Sequence, residues 1–187
     1  MAPRIGTHYV YWTPHGPVTI AADERGVTRV VFGDVALPGE RRPSALTSRA
    51  ANQLLAYLAG KRRTFDVPLA PDGTPFQLAV WRELERIPFG ETLTTADVAA
   101  LLGKPDSYRA VGSAVHKNPL AVLVPDHRIV GAGGTPIGAH AKLRGALLAL
   151  ERERANGARL GARPARRARP VRPTLNRPVN LERLFPA

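Results

Sequence analysis

The chain has 187 residues, 44% of them hydrophobic, which suits one or two small domains with real cores. No apolar run approaches the roughly 18 residues of a membrane span, and Met1-Ala2-Pro3-Arg4-Ile5-Gly6 lacks the basic-then-apolar layout of a secretory leader. The absence of cysteine excludes disulfides, thiolate metal sites and thiol catalysis, and a cytoplasmic protein is the simplest expectation.

Residues 7–13, 17–22 and 27–33 read as three short strands of a meander, with Pro14-His15-Gly16 and Asp23-Glu24-Arg25-Gly26 as turns. Residues 44–59 follow with a helical pattern: Leu46, Ala50, Leu54 and Leu58 share a face, Ser44 can cap, and Gly60 ends it. Residues 64–69 read as a further strand. The stretch 70–75 is a turn-rich joint and marks a domain boundary. An amphipathic helix is predicted over 76–87, with Phe76, Val80, Leu84 and Ile87 on one face, broken by Pro88-Phe89-Gly90. Shorter helices follow over 95–102, capped by Thr94, and over 107–117; the Gly103-Lys104-Pro105 break between them suits helix-turn-helix geometry. Residues 120–124 read as a short apolar strand leading into Pro125-Asp126-His127-Arg128, followed by a Gly-rich loop over 131–138 and a last helix over 142–153.

From Asn156 onward Pro and Arg dominate and apolar periodicity fails, so a disordered tail is expected, with 179–185 as a candidate docking segment. Residues 152–187 hold ten arginines against two acids, and so carry +8 of the net charge of +12. Such a tail would add salt-sensitive affinity for DNA phosphates, or serve only as a solubilising extension. The preference for Arg over Lys, 23 to 4, suits phosphate recognition and follows equally from GC-rich coding. The expected domains are 1–70, 71–155 and the tail 156–187.

Several motifs stand in a fixed order: His15-Gly16-Pro17-Val18-Thr19-Ile20; Phe76-Gln77 with Val80-Trp81; Ile87-Pro88-Phe89-Gly90-Glu91-Thr92; Arg109-Ala110-Val111-Gly112; Asn118-Pro119; Pro125, His127 and Arg128; and Leu147-Leu148 with Glu151. Over residues 7 to 153 the chain resembles the O6-alkylguanine-DNA alkyltransferases, the one-shot repair proteins also called methylated-DNA–protein-cysteine methyltransferases. The resemblance implies an N-terminal ribonuclease-H-like α/β domain and a mainly helical winged-helix domain that binds double-stranded DNA through the minor groove. Ala110, Gly112 and Ser113 would let the second helix of the helix-turn-helix approach the sugar edges. Arg109 falls at the position of the arginine finger that enters the stack as a nucleotide is flipped out; without the motif it would read as a phosphate contact. Asn118 matches the hinge asparagine, and on its own would read as a helix C-cap. His127 and Glu151 match the pair that deprotonates the family's cysteine through water, and Arg128, which completes the motif, is counted with the DNA-contacting residues.

The chain departs from that pattern at three places. Asp126 stands where the family carries its nucleophilic cysteine, so stable S-alkylation is impossible there. Thr95 aligns with a tyrosine that acts near the flipped nucleotide; threonine can donate to a phosphate but cannot stack. The loop 131–140 is shorter than the family's, with Ile137 nearest to the place of a tyrosine that packs on the base.

Three readings of Asp126 follow. The leading one is a non-catalytic lesion sensor, similar to the alkyltransferase-like proteins that bind alkylated guanine and pass the site to excision-repair partners. The second is an enzyme with turnover, in which Asp126 forms an ester that His127 and Glu151 help to hydrolyse. The third is a degenerate paralogue kept for general DNA or protein binding. A monomer without cofactor is expected, and no metal is assigned, because His8, His15, His116 and His140 lack ligand-like spacing.

Overall fold

The computed structural model describes residues 6–131, 133–137 and 140–161, the last five of these by backbone alone. Strands β1 (Thr7–Thr13), β2 (Gly16–Ala22) and β3 (Val27–Phe32) form the expected antiparallel meander. A two-residue strand, β4 (Glu40–Arg41), adds in parallel to β1, giving the sheet order β3-β2-β1-β4. Helix α1 (Ala45–Leu58) packs across the sheet and buries Ala50, Leu54 and Tyr57 in a core shared with Val18, Ile20, Val27 and Val30. Its start is fixed by a reciprocal capping box between Ser44 and Thr47.

The strand expected over 64–69 does not form. Only Leu69 bridges to Val27, through Val27 N–H to the Pro68 carbonyl and Ala70 N–H to the Val27 carbonyl, both at 2.8 Å. Pro68 has no N–H to extend a ladder, and the Asp66 N–H is taken by the Gln53 side chain at 3.0 Å.

The second domain opens with α2 (Pro75–Glu85), capped by Thr74 and Gln77. Helix α3 (Thr95–Leu101) is capped by Thr94 and Asp97, and α4 (Tyr108–His116) follows a 3-10 turn over Pro105–Ser107. Trp81 donates its indole N–H to the Ala114 carbonyl at 2.9 Å, pinning α2 to α4 over Val80, Leu84, Val98, Val111 and Val115. The bridges Leu93↔Ile129 and Val130↔Pro136 complete the wing beside these helices. The architecture is a ribonuclease-like sheet domain followed by a winged helix.

Residues 120–124 turn instead of extending. Leu120 makes one bridge to Val30, joining the two domains, and the chain then reverses through Leu123 N–H to Ala121 O and Val124 N–H to Leu120 O, both at 2.9 Å. Val122 takes φ +71° while 3% exposed, a left-handed conformation that strains a β-branched residue by ~1–3 kcal/mol. The apolar run that suggested a strand reflects a buried turn. The last helix, α5 (Ala141–Gly161), starts near the expected place but runs eight residues past Glu153, through Asn156 where the tail was expected to begin. Residues 162–187, including the candidate docking segment, lie outside the described residues. Among the described residues no helix is long and apolar enough to cross a membrane.

Candidate functional site

Asp126–Arg128 forms a 3-10 turn, and all three of its side chains are buried. Asn118 holds the approach to it: its amide donates to the Val124 carbonyl at 3.0 Å and its carbonyl accepts from Leu120 N–H at 3.0 Å. The side chain therefore clamps both ends of the turn that carries the strained Val122.

Glu151, fully buried on α5, is the centre of a polar cluster between the domains. Its Oε1 accepts from the Tyr57 hydroxyl at 2.5 Å, lies 2.9 Å from His127 Nε2, and accepts from the Arg128 guanidinium at 2.9 Å. Its Oε2 accepts from Gly90 N–H at 2.8 Å and Arg128 Nε at 3.0 Å. Arg128 also donates to the Ile87 carbonyl at 2.5 Å; only 7% exposed and with its guanidinium spent on Glu151 and Ile87, it faces the interior and not the DNA surface where it was expected. Burial alone would raise the Glu151 carboxyl, but the hydrogen bonds from His127, Arg128 and Tyr57 outweigh it and hold the pKa at about 2. Burial, and next the Glu151 charge, push the Tyr57 phenol well above its ordinary range, so it remains a donor. A carboxylate facing His127 Nε2 selects the tautomer protonated there. His127 Nδ1 is buried and has no hydrogen-bond partner among the described residues.

Asp126 belongs to a separate pair. Its Oδ2 accepts from the Arg144 guanidinium at 2.7 Å, and Arg144 also donates to the backbone carbonyls of Asp126 at 3.2 Å and Ile137 at 2.9 Å. Asp126 is 7% exposed and Arg144 8%. Burial raises the Asp126 carboxyl above its usual range, opposed by Arg144, His127 and Asn118. The arrangement ties the motif, the wing loop and α5 together through one guanidinium.

The remaining predicted residues lie on the helix-turn-helix. Arg109, Ala110 and Ser113 are exposed on α4, and Gly112 is half-buried. Thr95 opens α3 and stands beside Gly112, where an added Cβ would lie 3.8 Å from its methyl. These residues are exposed or half-buried, unlike the buried Asp126–Arg144 pair and the Glu151 cluster. Among the described residues no group of three or more His, Asp and Glu could hold a metal.

Sequence reasoning missed Tyr57 and Arg144. Each left a trace. Tyr57 lies three residues after Leu54 on the core face of α1, and a buried tyrosine hydroxyl needs a polar partner. Arg144 precedes Glu151 by seven residues, two helical turns along one face of α5.

A ribonuclease-like sheet domain joined to a winged-helix DNA-binding domain is the two-domain arrangement of the DNA alkyltransferase class. The chain belongs to the 6-O-methylguanine DNA methyltransferase family: residues 7–71 match its ribonuclease-like domain and residues 75–155 its DNA binding domain. It is 41% identical over 134 residues to a methylated-DNA–protein-cysteine methyltransferase of Methanosarcina acetivorans, covering 67% of this chain and 83% of that one. The constitutive enzyme of that name from Bacillus subtilis is 38% identical over 151 residues, 75% of this chain and 92% of its own length. The crystal structure of the Mycobacterium tuberculosis O6-methylguanine methyltransferase superposes with a TM-score of 0.73 at 37% identity, covering 79% of this chain and 93% of that one. The same TM-score and identity hold for the M. tuberculosis protein in complex with DNA, over 79% of this chain and 94% of that one.

Proposed function

We propose that this chain is a DNA-binding member of the family that engages alkylated double-stranded DNA without accepting the alkyl group. The observation that carries this reading is the buried Asp126–Arg144 pair at the position where the family motif carries its nucleophilic cysteine. A carboxylate is a far weaker nucleophile than a thiolate toward an alkyl carbon, and one held by a guanidinium is weaker still. The framework that would orient a reacting group is nevertheless kept, in the form of the His127–Glu151–Arg128 cluster. Arg109 enters the stack from the minor groove, Ala110, Gly112 and Ser113 allow close approach, and Thr95 meets the backbone. The site is then marked for excision-repair proteins. The likeness to a relative solved with DNA supports the docking mode.

The ester-turnover reading needs a free Asp126 carboxylate and an acid for the departing guanine. The Arg144 pairing opposes the first requirement. Incubation with excess duplex carrying one O6-methylguanine, followed by intact mass analysis, tests the reading. On the non-catalytic reading the mass stays unchanged and free methanol does not accumulate; a gain of one methyl mass, or steady methanol release, contradicts that reading and supports ester turnover.

A further inference from the structure

Tyr108, the first residue of α4, is a large aromatic side chain left 43% exposed. One exposed ring is ordinary on a protein surface. This one is distinguished by its neighbour: the Arg109 guanidinium lies over its face, 5.6 Å from the ring centroid. Beyond it the accessible positions of α4 as far as Ser113 carry small side chains, at Ala110, Gly112 and Ser113, and the next exposed side chain of the helix is His116 at its far end. The ring and the guanidinium therefore project together from an otherwise low surface.

We propose that Tyr108 is a second DNA-contacting residue, whose ring stays against the Arg109 guanidinium and packs on the deoxyribose and base flanking the vacated position, so that the two enter the minor groove as one wedge. This rests on the reading that α4 carries Arg109 into DNA. A guanidinium entering the stack loses water and conformational freedom. A ring already covering one of its faces supplies cation–π attraction and reduces the freedom still to be lost. Apolar side chains wedged at base steps stabilise unstacked DNA in the same way. The ring thus favours the flipped state over the merely bound one.

The test uses the full chain and a duplex carrying one 2-aminopurine, whose fluorescence rises on unstacking, with total binding followed by anisotropy. Tyr108→Phe should match the wild type. Tyr108→Ala and Tyr108→Leu should each lower the flipped fraction about tenfold, with a smaller change in total affinity. If Tyr108→Leu or Tyr108→Ala flips as well as the wild type while Arg109→Ala does not, the wedge is overturned and the finger survives. If the wild type binds without unstacking, or Arg109→Ala unstacks normally, the underlying flipping reading fails as well.

Discussion

Arg144 reaches Asp126 at 2.7 Å from two turns before Glu151 on the same helix, so α5 carries the partners of both acidic and basic members of the 126–128 motif. The same helix holds Asp126 with a cation and His127 and Arg128 with an anion. Position 126 is thereby committed to an ion pair, while the neighbouring cluster keeps its own charge balance.

Arg144→Met should destabilise the protein by about 3 kcal/mol at neutral pH, because a buried carboxylate loses its counter-ion. The Asp126 pKa is already raised by burial, and losing Arg144 raises it further. A raised carboxyl contributes stability that is present at low pH and lost as pH rises through the folded pKa. The deficit against wild type should therefore widen from acidic to neutral pH, which urea unfolding at several pH values will show. A constant deficit would mean that only packing was lost.

For Glu151 the sign is opposite. Its pKa falls from 4.5 to about 2, so its ionisation contributes stability that is present above 4.5 and lost as pH falls toward 2. The contribution is roughly 3 kcal/mol. Glu151→Gln should be clearly less stable than wild type at neutral pH, with the difference closing across that window. Chemical denaturation between pH 2 and 7 measures it.

Tyr57→Phe removes the hydroxyl that donates to Glu151 at 2.5 Å across the two domains. A hydrogen bond to a charged group is worth ~1.5–3 kcal/mol, and a loss of that order is expected in thermal or urea unfolding. The Glu151 pKa should also rise, moving the acid transition to higher pH.

Asp126→Cys should create an alkyl acceptor. Arg144 would then face a thiol and favour the thiolate, and His127 Nδ1, with no hydrogen-bond partner among the described residues, is placed to take the proton through water. Incubation with an O6-methylguanine duplex should transfer one methyl group to the variant, as seen by intact mass. Failure with intact DNA binding would show that pocket shape, and not only residue 126, prevents transfer.

The elements bounded by side-chain capping were legible in the sequence. Ser44 and Thr94 mark helix starts through local chemistry, and the three-strand meander follows from β-branched and aromatic composition and turn residues. The two misread strands, 64–69 and 120–124, failed for reasons that local composition does not encode. Pro68 interrupts the ladder in the first, and long-range burial converts an apolar run into a turn in the second. The contact of His127 with Glu151 was legible from the family motif, whereas Arg128, expected at the DNA surface, is held inside by Glu151. Tyr57 and Arg144 escaped because their partners lie 94 and 18 residues away, and a single chain does not announce which buried acid a distant donor will meet.

The most direct test is equilibrium binding to a duplex with one O6-methylguanine against the same duplex with guanine, between pH 5 and 8. Tighter lesion binding, with unchanged protein mass afterwards, is the predicted result. Equal binding to the two duplexes at every pH would contradict lesion sensing and leave a general DNA-binding or protein-binding role for the fold.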